Sequence, residues 1–249
     1  MAVRVEQRGP ILILTLARPE KRNAIDPETA AGIDEALNEF EDAESLQVAI
    51  ITGGEEVFSA GSDLKQGSGE PTERGGEYGI IRRTAGKPLI AAVEGLAFGG
   101  GMEIVLSCDL VVASRGARFG LPEIKRGLIA AYGGVFRAPG ALPLNIAKEI
   151  VLTGDPISAE RAAQFGLVNT LCDEGKALEE ALALADRVAA NAPVSVRESL
   201  RVLDEMAADA ERTGWALMVD AVQTVFSSED AREGREAFLE KRQPEWSGR

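Results

Sequence analysis

Residues Lys87 to Glu123 read KPLIAAVEGLAFGGGMEIVLSCDLVVASRGARFGLPE. Leu89 to Val93 is an apolar run of strand length behind Pro88, and Gly99, Gly100 and Gly101 then open a stretch with helical spacing. Glycine has no Cβ to block close approach. The first amides of a helix also lack internal partners and carry the positive end of its dipole. Such a turn suits an anionic oxygen. Glu103 follows within the first turn, and Glu123 stands on the Leu121-Pro122-Glu123 turn.

Upstream, Phe58-Ser59-Ala60-Gly61-Ser62-Asp63-Leu64-Lys65 is a second small-residue turn, able to present the amide of Ser62. Val3 to Glu6 and Ile11 to Leu16 predict a hairpin around Arg8-Gly9-Pro10, and Val48 to Thr52 predicts a short buried strand. Between them, Asp26-Pro27 starts a helix on which Ala31, Ile33, Leu37 and Phe40 recur near helical spacing. Gln66 to Gly79 is glycine-rich and charged and reads as a surface loop or a poorly ordered helix. Downstream, Leu110 to Ala113 is another strand, and Gly127 to Gly134 is a small-residue connection. From Leu144 the pattern turns helical: Ile146 to Leu152, Ser158 to Phe165 and Ala177 to Ala190, then two or three amphipathic helices covering about Val194–Met206, Ala210–Phe226 and Asp230–Lys241. The chain divides into a core at 1–193 and a helical appendage at 194–249.

With 249 residues and 45% hydrophobic content, the chain can bury a sizeable core. A formal charge of −13 argues against a broad nucleic-acid or membrane footprint. The absence of histidine removes Ser-His-Asp and Cys-His catalysis, imidazole zinc sites and any histidine base. Carboxylates, tyrosines, lysines and backbone amides are left to do the chemistry. Two distant cysteines, Cys108 and Cys172, offer neither a disulfide framework nor a metal cluster and fit a reducing cytosol. The amino terminus, Met1 to Glu6, lacks the look of a signal or transit sequence, and no apolar run is long enough to span a bilayer.

On spacing alone, both glycine loops read equally as tight turns. Glu103 reads as a partner of its helix dipole, Glu123 as a solvated turn residue or part of the first turn of a helix, and the basic run from Arg18 to Ala24 as surface. A dinucleotide fingerprint fails because Ile104 stands where its third glycine belongs, and neither a P-loop nor a Gly-x-Ser-x-Gly turn occurs.

Five strings in register carry more. FSAGSDLK from Phe58, KPLIAAVEGLAFGGGME from Lys87, CDLVVAS with ARFGLPE, LTG at 152–154 and GLVN at 166–169 follow the order of the crotonase (enoyl-CoA hydratase/isomerase) family, which the chain resembles from Arg18 almost to its end. The resemblance implies an α/β (α+β) spiral of ββα units with a C-terminal helical region that forms a homotrimer or a dimer of trimers. It implies a coenzyme A thioester as substrate, no metal or redox cofactor, and a thioester carbonyl held between the amides of Ser62 and Gly100. Glu123 matches the principal acid/base and Glu103 the residue that holds and activates water. Arg22, Ala24, Ala60, Asp63, Leu64 and Lys65 match the surroundings of the coenzyme A nucleotide, with Phe238 and Lys241 matching a segment that reaches a neighbouring subunit's nucleotide pocket. Ala130, Ala131 and Tyr132 depart from the commonest hydratase pattern and face the acyl group. The reaction implied is hydration of a trans-2-enoyl-CoA; the strings from Ser228 and at the end also resemble the carnitinyl-CoA dehydratase branch. Double-bond isomerisation, and a non-catalytic acyl-CoA binder on the same fold, are the remaining alternatives.

Overall fold

The apolar runs become neighbouring strands. The computed structural model describes residues 2–84 and 86–249; Met1, the first residue of the amino-terminal stretch read above, and Ala85 lie outside the described residues. Strands β1 (Val3–Arg8) and β2 (Ile11–Leu16) pair antiparallel as the predicted hairpin, with Val3 opposite Leu16. Then β3 (Val48–Thr52), β4 (Leu89–Val93), β6 (Leu110–Ser114) and β9 (Thr170–Cys172) add in parallel, giving the order β1-β2-β3-β4-β6-β9. A second sheet holds β5 (Leu96–Phe98), β7 (Arg118–Gly120) and β8 (Ile157–Ser158) in the order β5-β7-β8.

The chain crosses from the large sheet to the small layer again and again: β4 leads to β5, β6 to β7, and after β3 Ser59 bridges Ala97 of β5. This recurrence is the spiral of ββα units. Its central strands are apolar on both faces because both faces are covered. Leu12 and Leu14 of β2 look into the main core, whereas Ile11 and Ile13 pack with Val48, Ile50 and Ile90 beneath Ala177, Ala181 and Ala185. Those three alanines form one stripe of helix α6 (Ala177–Ala189), and their small side chains let it lie close on the sheet.

Helix α1 (Pro27–Asp42) begins as its sequence directs: the Asp26 carboxylate accepts from Thr29 N at 2.9 Å, with proline at the first turn. Ile33, Leu37 and Phe40 are buried, but Ala31 is exposed and Ala30 takes the inward place, one step around the helix from the expected position. Helices α2 (Gly100–Val105), α3 (Gly134–Ala141), α4 (Leu144–Thr153) and α5 (Ala159–Gln164) follow in the core. The appendage has two helices, the first of them spanning two of the expected ranges. Helix α7 (Pro193–Phe226) runs unbroken for 34 residues, and α8 (Glu229–Glu240) follows it. The expected break falls on Ala207-Ala208-Asp209, where no glycine or proline interrupts good helix formers.

The stretch from Gln66 to Gly79 is not uniformly a surface loop. Its second half is pinned to α1, where Asp34 accepts from Thr72 Oγ1 at 2.8 Å and Gly75 N at 3.0 Å and pairs with Arg83 at 2.6 Å. It ends in a 3-10 turn, Glu77–Gly79, that buries Tyr78. Among the described residues no helix is long and apolar enough to cross a membrane.

Candidate active site

Two glycine turns meet at the start of α2. A Cβ built on Gly61 would fall 2.8 Å from Gly100 N, and one on Gly100 would fall 2.3 Å from the Tyr78 hydroxyl. Gly61 (φ 89°) and Gly99 (φ 55°) also hold left-handed backbone that other residues rarely adopt. Hydrogen bonds fix the flanks of the turns: Ile25 N donates to Gly61 O at 2.8 Å, Asp63 N to Ile25 O at 2.8 Å, and Gly99 N to Gly120 O at 2.9 Å. Among the described residues, no acceptor takes the amides of Ser62 or Gly100. Two unclaimed backbone donors therefore stand side by side where α2 begins.

Glu103, one turn into α2, is 2% exposed. Its Oε1 accepts from Tyr132 N at 2.7 Å and Gly134 N at 3.1 Å, so the Ala130–Gly134 connection is wrapped around it. The carboxylate is thus held by amides of another segment and not by its own helix end, which sets aside the helix-dipole reading. Burial first, and the neighbouring Glu123 charge after it, push its pKa up to about 8 against the opposing amides of Gly134 and Tyr132.

Glu123 sits in a 3-10 turn, Pro122–Arg126, that follows β7. Its Oε1 lies against Gly99, where a Cβ would come within 3.0 Å, and its Oε2 is buried with no hydrogen-bond partner among the described residues. Burial lifts its pKa to about 7, against its own backbone amide and Arg126. This is no solvated turn residue. Two coupled carboxyls with raised pKa values form a pair in which one can hold a proton while the other accepts one.

The acyl-side residues gather at the same place. Ala130 is buried, Ala131 and Tyr132 are half-buried, and the Tyr132 ring meets Tyr78 edge-on at 5.0 Å. Tyr78 falls in the stretch read as loop, and only its rarity could have marked it: the chain has two tyrosines, and both stand at this site. Gly134 and Arg137, which also act on Glu103, carry no signal in the sequence.

The expected nucleotide-side residues form a separate surface. Arg22 is exposed, with its carbonyl bonded to Ala60 N at 3.0 Å; Leu64 and Lys65 are exposed beside it. The Ala24 carbonyl accepts from Arg18, whose guanidinium turns inward to Asp26 at 3.0 Å and Asp63 at 3.3 Å. Lys65 N on the Asp63 carboxylate, more than Arg18, holds that group below its ordinary range. Phe238 lies under the Arg126 guanidinium at 4.2 Å, and Lys241 closes α8 in left-handed backbone. Among the described residues no hydrogen bond, ion pair or ring contact joins those two to the Arg22–Lys65 surface.

The enoyl-CoA hydratase/isomerase family profile matches residues 6–249. A carnitinyl-CoA dehydratase of Salmonella typhi is 42% identical over 262 residues, covering 100% of this chain and 99% of that protein. The crystal structure of a carnitinyl-CoA hydratase from Mycobacterium avium superposes with a TM-score of 0.94 at 42% identity, covering 100% of this chain and 99% of the other. An enoyl-CoA hydratase from Mycobacterium tuberculosis H37Rv, with the same coverage, gives a TM-score of 0.80 at 44% identity.

Proposed function

The chain belongs to the enoyl-CoA hydratase/isomerase family, and from that premise we propose that it adds water reversibly to the 2,3 double bond of a trans-2-enoyl-CoA. It is an enzyme of the hydro-lyase kind. The single observation that carries the reaction is the buried Glu103–Glu123 pair beside the two unclaimed amides of Ser62 and Gly100.

The thioester carbonyl oxygen accepts from those two amides. Water attacks C3 and leaves its hydroxyl there, the C2=C3 electron pair moves onto the thioester oxygen as an enolate, and the enolate collapses by taking a proton at C2. The proton released by water enters the carboxyl pair and the pair returns one to C2, so the balance closes without another group. Glu103, with one oxygen anchored by two amides, is suited to hold the water. Glu123, whose Oε2 has no protein partner, is suited to exchange the C2 proton. The preorganised amides act where charge develops; loss of one such donor costs about 3–4 kcal/mol in the documented protease case.

Mixing the protein with crotonyl-CoA and longer enoyl thioesters, and following loss of the conjugated chromophore, tests the reading. Hydration is expected with at least one of them. No loss with any, in a protein that binds coenzyme A thioesters, would overturn it. The full-length similarity to carnitinyl-CoA dehydratases supports a second, narrower reading, in which the acyl group is carnitinyl and the physiological direction is dehydration. Product analysis with carnitinyl-CoA, and with a 3-enoyl-CoA for isomerisation, separates these. The exposed Arg22, Leu64 and Lys65, with Ala24, Ala60 and Asp63 shaping their turn, form the surface on which we place the nucleotide; Phe238 and Lys241 are assigned to the same ligand in a neighbouring subunit.

A further inference from the structure

Tyr78 is held in an unusual backbone state for a purpose its surroundings identify. Its φ is 55° and ψ 7°, between Gly76 at φ 65° and Gly79 at φ 74°; an aromatic residue rarely adopts the left-handed region. Such conformations persist where the structure over-determines them, and they concentrate at functional sites. Here the ring is buried at 3% exposure, lies over Gly100 with Cζ 2.6 Å from where a Cβ would stand, and meets Tyr132 edge-on. The phenol oxygen is 2.7 Å from Ser62 Oγ. Its two oxygen-side neighbours are therefore Ser62 and Gly100, the residues whose amides stand unclaimed.

Proton counting adds the decisive point. Two hydroxyls 2.7 Å apart share one hydrogen bond, and either can donate it. One O–H of the pair is left over, and among the described residues no acceptor takes it. A buried donor calls for an acceptor. The position that both residues border is the place of the thioester oxygen.

We propose that the Tyr78 hydroxyl, accepting from Ser62 Oγ, donates a third hydrogen bond to the thioester oxygen and strengthens it as that oxygen becomes an enolate. The assignment rests on the acyl-CoA reading above and adds a catalytic residue to it. A phenol is a better donor than an alcohol. Burial, more than the Glu103 charge, keeps it protonated, since both raise its pKa well above the ordinary value.

Two readouts test it, using Tyr78→Phe, which keeps the ring and loses only the hydroxyl. Turnover of the enoyl-CoA accepted by the wild type is expected to fall in kcat by roughly 10- to 100-fold, with KM moving far less, because the donor acts on charge that develops in the transition state. Ser62→Ala, which keeps the amide and removes only the bond feeding the phenol, is expected to fall less than Tyr78→Phe. The second readout needs no turnover: acetoacetyl-CoA ionises to an enolate with its own near-ultraviolet band, and the wild type is expected to enrich the bound enolate more than Tyr78→Phe does. If the wild type hydrates nothing yet enriches that enolate, the hydratase reading fails while the donor assignment is still decided by the Tyr78→Phe difference. Unchanged kcat in Tyr78→Phe, a loss confined to KM, or equal enolate enrichment in both proteins would overturn it; so would a wild type that binds acetoacetyl-CoA without enriching the enolate.

Discussion

At Glu103 burial and the Glu123 charge oppose ionisation, at Glu123 burial does, and the consequence is a pH window. With the two carboxyls raised to about 8 and about 7, the pair holds one proton mainly between those values. The pH profile of kcat/KM is expected to peak between pH 7 and 8 and fall on both sides, as stopped assays over pH 5.5–9.5 would check. Glu123→Gln is expected to lower kcat by at least about 100-fold, the ordinary scale of general acid–base catalysis. Stability moves the other way. Below about pH 4.5 the carboxyl is protonated in both states, so nothing is lost. As pH rises from about 4.5 toward 8 the unfolded chain releases its proton while the folded one keeps it, so the folded state is progressively disfavoured until pH passes the folded value. Glu103→Gln should thus melt higher than the wild type, by a margin that is small at pH 5 and grows to on the order of a few kcal/mol at pH 8.5. The glycines and glutamates of this site were visible as candidates in the sequence, and the family resemblance singled them out. Tyr78 was not, because its place depends on a left-handed turn between two glycines that no periodicity reports.

Between elements, α8 comes close to the site. A Cβ on Gly234 would lie 2.1 Å from Arg126 O, and one on Gly127 would lie 2.3 Å from Asp230 O, so α8 is laid backbone to backbone on the turn that carries Glu123. Neither side can yield without moving that turn. Gly234→Ala is expected to destabilise the protein by about 1–3 kcal/mol, as overpacking does, and to lower kcat at least several-fold, with far-ultraviolet circular dichroism unchanged. An unchanged kcat would show that the turn keeps its place without this contact. Long elements were legible in the sequence for a simple reason: five or six apolar residues buried on both faces leave a continuous signal, as in β2 and β4. The strands β5, β7, β8 and β9 span only two or three residues each and escape any test of alternation. The single α7 spans two of the expected ranges because a helix ends only where its backbone is interrupted.

For the molecule as a whole, α7 is the element with the most apolar surface left open. Its inner side is fixed to the core where Glu211 pairs with Arg137, Trp215 donates to Glu211 at 2.9 Å, and the Arg82 guanidinium stacks 3.3 Å above the indole. Outward, Leu203, Met206 and Leu217 are exposed along one helical stripe with Ala210 between them. Light scattering is expected to give a trimer or a multiple of it, and Leu203→Lys with Met206→Lys to lower that mass; an unaltered mass would place the contact elsewhere. Another whole-molecule consequence follows from the inward turn of Arg18, which commits a central cation of its loop to Asp26 and Asp63. Coenzyme A thioesters are polyanions, and this chain carries a formal −13. At a distance, ligand and enzyme repel, while the exposed Lys21, Arg22 and Lys65 at the proposed mouth pull the other way. Capture should therefore be slow in dilute buffer and quicken as salt screens the approach, the reverse of an electrostatically steered encounter.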